Sequence, residues 1–425
     1  KGSHHDQAMK IADSTSIIAD FNNTKFFNKN VKSTFFIKDG DYFVNLESPN
    51  GEFQDYKIVY TFGVTPLQQY IVEFPNGAYQ CLQTAWDTVK GEWFDLQPNL
   101  ELRSNEWIHW SGGGMRWNTA CADCHSTNLH KNYSNKENAF NTTYTEINVS
   151  CEACHGPSST HVDFYNQEDI EGKTPPKMYM GLNMNSKEVV DKCARCHSRR
   201  TQLTKYFDYD DTFLDHYYPA LYNYPTYERD GQILDEDYVY GSFVQSKMYQ
   251  IGISCKDCHD SHSLQLKQTG NALCLNCHLP EIFETPKHHY HKENTEASQC
   301  INCHMTGRIY MGNDFRRDHS FRIPRPDQTL AYGTPNACNG CHNDKDAKWD
   351  SDFIIEKYGA ERKDHFSNHL TKGSLGDVEA LKALFTDNKY PELARATAID
   401  QFSNATFLSD EILVELLPLL QDDSP

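Results

Sequence analysis

Residues 338–342 read CNGCH, within TPNACNGCHNDKDAKW (334–349): two cysteines three apart, with a histidine directly after the second. Six more stretches repeat the pattern: CADCH (Cys121, Cys124, His125), CEACH (Cys151, Cys154, His155), CARCH (Cys193, Cys196, His197), CKDCH (Cys255, Cys258, His259), CLNCH (Cys274, Cys277, His278) and CINCH (Cys300, Cys303, His304). The last, Cys338, Cys341 and His342, completes seven motifs, which use all but one of the 15 cysteines. Histidine accounts for 20 of 425 residues, so a free fifth position would be histidine in all seven with a probability of roughly one in a billion. The fifth position is chemically required.

That requirement separates the chemistries open to CxxC. A zinc ribbon pairs two CxxC knuckles and ignores the residue after the second cysteine. A thioredoxin-like redox pair occurs once, in a βαβ setting, and a disulfide framework is indifferent to neighbours. Covalent attachment of haem c needs all three residues: two thiols add to the porphyrin vinyl groups, and the adjacent histidine becomes the proximal iron ligand. Seven covalent haems are therefore expected, held by the fourteen motif cysteines, with His125, His155, His197, His259, His278, His304 and His342 on iron.

Composition agrees. Apolar residues make up only 38% of the chain and mean hydropathy is −0.71, a thin supply of core for this length. From Cys121 to His342 there are roughly 32 residues per motif, too few for independent cores without metals or cross-links, so porphyrin plates are expected to serve as the apolar interior. With 40 Lys and Arg against 59 Asp and Glu the net charge is −19, which argues against nucleic acid and favours redox protein partners. No run of 18 apolar residues marks a transmembrane segment. Haem c is attached outside the cytoplasm, so an exported, processed chain, periplasmic or extracellular, is expected.

Four regions follow along the chain. Residues 1–30 form an N-terminal segment. Residues 31–108 read as a small antiparallel β module, with hairpins in STFFIKDGDYFVNLE and YIVEFPNGAYQCLQTAW turning at KDGD and PNG, and IVYTF and EWFDL as further strands. Cys81, the cysteine outside the motifs, falls on one of these strands as a buried structural thiol. Residues 109–345 are the seven-haem region, with unequal motif spacings, short helices and long loops. Its widest gap, 198–254, is rich in Tyr and Asp and reads as an ordered loop or surface excursion whose aromatics pack on haem faces. Residues 346–425 carry helical signals in GDVEALKALFTD, PELARATAIDQF and SDEILVELLPLL, the last capped by Ser409. The fold class is mixed, mostly irregular and α, with a haem core wrapped by short helices and loops.

A sixth iron ligand decides between a conductor and an enzyme. Candidates outside the motifs are His262 in CHDSH, His161 in CHGPSSTH, His288 and His291 in KHHYH, His319 in RRDHSF and His109 in IHW. His130, His216, His365 and His369 read as ordinary structural histidines.

WNTACADCHSTNL, VSCEACHGP, KCARCHSRR, ISCKDCHDSHSL, NALCLNCH, CINCHM with RRDHSFRIPRPD, and TPNACNGCH together resemble the multihaem c-type cytochromes that carry a C-terminal tetratricopeptide or HEAT-like helical repeat. The resemblance covers most of the chain. In that family a haem motif precedes a pattern SxHxxAM, matched here by Ser3, His5, Ala8 and Met9, which makes His5 a further distal candidate; the preceding motif itself is absent. The resemblance implies electron transfer, respiratory or extracellular, through mostly bis-His haems, with the repeat available for a larger complex, homo-oligomer or filament. An oxidoreductase acting on nitrogen or sulfur oxyanions at one open haem is the alternative, although the CxxCK motif of cytochrome c nitrite reductases is missing.

Overall fold

In the computed structural model, which describes residues 2–29, 31–181, 183–405, 414 and 416–422, the chain begins as an antiparallel sheet of nine strands. These are β1 (Met9–Ile11), β2 (Thr24–Asn28), β3 (Val31–Lys38), β4 (Asp41–Glu47), β5 (Phe53–Phe62), β6 (Leu67–Glu73), β7 (Tyr79–Cys81), β8 (Thr84–Asp87) and β9 (Glu92–Asp95). The path runs β2-β3-β4-β5-β6-β8-β9, with β1 on β5 and β7 on β6. The first expected hairpin closes with Lys38 opposite Asp41. Asp39 and Gly40 between them both have positive φ, 53° and 86°, as a two-residue turn matched to strand twist requires. The second pairs β6 with β7 around Gly77, where a Cβ would fall 2.3 Å from the Phe140 carbonyl.

The sheet is larger than the β module expected at 31–108. Segment 1–30 supplies β1 and β2, because Met9 is fully buried opposite Phe62 and Phe21 lies among Phe35, Tyr70 and Trp93. Phe35 stacks flat on Trp93 with centroids 3.5 Å apart. Trp110 extends this core and hands its indole N–H to the Glu47 carbonyl.

Residues 198–254 are not a surface excursion. Tyr217, Tyr222 and Tyr227 are buried almost completely, and the last two pack with Phe366, Leu381, Leu384, Phe385 and Phe402 rather than against a haem cavity. Those partners come from the C-terminal helices that follow α1 (Ser186–His197): α2 (Phe366–Gly373), α3 (Val378–Thr386) and α4 (Glu392–Ala405). Polar staples join the two regions, from the Tyr222 amide to Thr397 Oγ1 at 3.0 Å and from Asn223 to Asp400 at 2.9 Å. Apolar residues at helical spacing thus find a tyrosine-rich loop as their partner. The third expected helix, with Ser409 as its cap, begins outside the described residues.

Candidate haem-binding cavity

All seven motifs open onto one cavity of about 3450 Å³, lined by every one of their cysteines and histidines. Ordinary small-molecule pockets reach about 1,000 Å³, so the space calls for several large groups. Local sequence sets each motif at its wall. Trp117 and Asn118, both fully buried, seat the first motif on the sheet: Trp117 packs on Tyr60 and Tyr79, while Asn118 receives the Tyr79 amide at 2.7 Å. The third motif ends α1, which starts at an Asn185–Glu188 capping box. The fourth opens a short helix capped by Ser254 and Asp257. Asn271 accepts the Cys300 amide at 2.9 Å, tying the sixth motif to the fifth, and Asn336 accepts the Cys338 amide at 2.8 Å in the seventh.

Imidazole–metal bonds of about 2.0–2.1 Å place two imidazole centroids on opposite sides of an iron roughly 6 Å apart. Among the described residues, four pairs that include a motif histidine stand at this spacing: His5 and His197 at 5.9 Å, His155 and His262 at 6.2 Å, His288 and His304 at 6.2 Å, and His291 and His342 at 6.1 Å. In each pair one ring belongs to a motif and the other was a distal candidate. His5 is carried there by a turn that hydrogen-bonds to Asn148 and Val149, just ahead of the second motif. His262 sits in a turn folded around the Asp260 carboxylate.

The ring nitrogens are prepared for ligation. Nδ1 of His155 lies 3.1 Å from the Met180 carbonyl, that of His304 2.7 Å from Arg322 O, and that of His319 2.9 Å from Arg317 O. An Nδ1–H given to a carbonyl leaves Nε2 as the free donor to a metal. Burial, with neighbouring histidines adding to it, pushes His125 and His197 down to about 4, so both are neutral at physiological pH, as metal ligation demands. Burial likewise lowers His5, His288, His304 and His319.

The other sequence candidates fall elsewhere. His319 lines the cavity and is electrostatically coupled to His259. His161 also lines it, against Tyr165 and the Pro176 carbonyl, 3.4 Å from Nδ1. His109 bonds Ser111 and lies beside Trp110 on the sheet, away from the cavity lining. Among the described residues, no second imidazole stands at the 6 Å spacing from His125, His259 or His278; Phe62 packs edge-on at 4.5 Å from His125, and Phe283 at 5.4 Å from His278.

Cysteines of different motifs meet. Cys124 stands beside Cys196, Cys193 beside Cys255, and Cys274 beside Cys300. Cys81 is buried on β7, packed beside Cys121. Asp123, Arg195 and Arg200, which sequence reasoning passed over as variable motif positions and a flanking residue, join in a buried ionic cluster. Their opposite charges at matching places in CADCH and CARCHSRR were the available signal.

Two family models match the chain: the doubled CXXCH motif at residues 250–282, and cytochrome c554 and c-prime at residues 95–156. No curated protein matches it. The fold is similar to that in the crystal structure of the outer cell wall cytochrome OcwA, with a TM-score of 0.55 and 17% identity over 99% of this chain and 95% of that one. With the seven motifs, these matches support a multihaem c-type cytochrome whose CxxCH sequences hold haem c covalently. No helix among the described residues is long and apolar enough to cross a membrane.

Proposed function

We propose that this chain transfers electrons along seven covalently bound haems arranged as a continuous series. The observation that carries the proposal is the convergence of all seven motifs on one cavity, with cysteines of separate motifs in contact. Bound haem supplies one-electron iron chemistry, and the protein sets its potential through axial ligands, burial and hydrogen bonds. His5, His262, His288 and His291 serve as distal ligands opposite His197, His155, His304 and His342, and His319 serves His259. Neighbouring cysteines support an order in which the first haem lies beside the third, the third beside the fourth, and the fifth beside the sixth. The second adjoins the third through Cys154 near Cys196, and the remaining neighbours follow from Cys258 near Cys277 and Cys303 near Cys341. Redox proteins are the partners, outside the cytoplasm, and the C-terminal helices offer a surface for a larger assembly.

A second reading has an observation in its favour. His125, His259 and His278 lack an imidazole at the 6 Å spacing among the described residues; with His319 assigned to His259, the haems on His125 and His278 are the places for an exchangeable ligand. That is the oxidoreductase reading, with a nitrogen or sulfur oxyanion at an open haem; Arg316, which lines the same cavity, is itself ion-paired with Glu236 and Asp314. Mass spectrometry of the denatured chain tests the cofactor: seven haems add about 616 Da each, and zinc without covalent haem overturns the proposal. Spectroscopy with cyanide or carbon monoxide separates the two readings. No ligand binding supports a pure conductor; binding at one or two haems supports catalysis there.

A further inference from the structure

We infer that the third haem, on Cys193, Cys196 and His197, is a branch point held by a buried ionic knot made from the variable residues of the motifs themselves, and that the knot's excess positive charge raises the potentials of the haems it touches. This rests on the haem reading above.

Arg195, inside CARCH, reaches both earlier motifs. Its Nη2 lies 4.0 Å from the carboxylate of Asp123, inside CADCH, and its Nη1 donates to the Ala153 carbonyl, inside CEACH, at 3.4 Å. Nη1 also donates to the Tyr209 hydroxyl at 2.8 Å, and the guanidinium stacks on Phe207 at 4.4 Å. Arg200 completes the knot: its Nη2 donates to Asp123 at 2.5 Å, its Nε to the Arg195 carbonyl at 2.6 Å, and it lies over Tyr217 at 3.7 Å. Tyr217 donates to the same carboxylate at 2.9 Å. Three attachment loops are thereby tied at one point, and the fourth joins through Cys193 and Cys255.

Charge does not balance in this knot. Asp123 faces Arg195 and Arg200, and Lys131, half-buried, senses the same carboxylate and Arg200. The arginines are nearly buried, with side-chain exposures of 7% and 9%, where screening by solvent is weak. Arg200 Nη2 is 3.5 Å from Cys124 Sγ, the sulfur that also meets Cys196. Ferric haem carries one more positive charge than ferrous haem, so excess cationic charge here favours the ferrous state of the first and third haems.

Opposite charge changes give the test, by redox titration followed by electron paramagnetic resonance, with haem content from denatured mass in each variant. R200Q is expected to lower the potentials of two haems and D123N to raise the same two, each by about a tenfold change in the ferrous to ferric ratio, which for one electron is about 59 mV. The double variant D123N with R200Q restores the net charge and is expected to return them toward the parent values. R195K keeps the charge but loses the bridge to Ala153, and is expected to retain the potentials while weakening the magnetic coupling between haems. Unchanged potentials in both single variants, or shifts of the same sign, overturn the inference. Covalent haem missing from the unmodified chain would instead defeat the reading beneath it.

Discussion

Two imidazole rings facing each other across about 6 Å leave room for one iron between their nitrogens. The four such pairs therefore make residue-level predictions. Replacing His262 or His288 with Ala is expected to leave seven covalent haems, since attachment uses only the motif, while converting one low-spin haem to high-spin; an unchanged spectrum in both would reject these ligands. His365, outside the motifs but on the lining of the same cavity, gives a pH dependence. Its Nδ1 accepts the Ser367 amide at 3.3 Å as the cap of α2, and burial with Arg322 and Arg325 nearby pushes it down to about 3. Because the folded value lies below the unfolded one, near 6.5, the stability it contributes is full above about pH 6.5. It is lost at about 1.4 kcal/mol per pH unit as pH falls toward 3. Asn caps as well but does not titrate, so H365N is expected to flatten that part of the melting-temperature profile; a profile identical to the parent's would contradict this.

Elements differ in how far they can be read from residues. The hairpin at Lys38–Asp41 was legible because Asp-Gly turns have one favoured geometry and the flanking residues alternate. Strand β1 was not: three residues, Met9–Ile11, carry no period, and only their pairing with Tyr60–Phe62 makes them a strand. The Tyr-rich stretch 198–254 was legible only in part, since tyrosine suits haem faces and protein cores alike: Tyr238, Tyr240 and Phe243 line the cavity, whereas Tyr222 and Tyr227 pack on helices far downstream. Its packing against α2–α4 sets an expectation. Leu384→Ala, at a fully buried site, is expected to cost about 2–5 kcal/mol and to open the 198–254 loop to protease while leaving haem content intact. Protection equal to the parent's would mean that the loop stands without the helices.

At the scale of the whole molecule, the motifs declared the cofactor because thioether chemistry tolerates no substitutes, whereas the distal pairs were hidden by distance. His5 and His197 are separated by almost half the chain, and no local pattern relates them. What joins these parts is the single cavity. The polypeptide around it has little apolar core of its own, so the region carrying the motifs is expected to remain protease-sensitive when expressed without haem attachment, although the nine-stranded sheet, with its Phe35–Trp93 core, is expected to resist. The continuous haem series is the central claim. Flash reduction with far fewer electrons than haems, followed by absorbance at several protein concentrations, tests it most directly. One continuous series predicts that electrons redistribute among the haems at rates independent of dilution; redistribution that slows in proportion to dilution would mean that electrons move between molecules, and would contradict it.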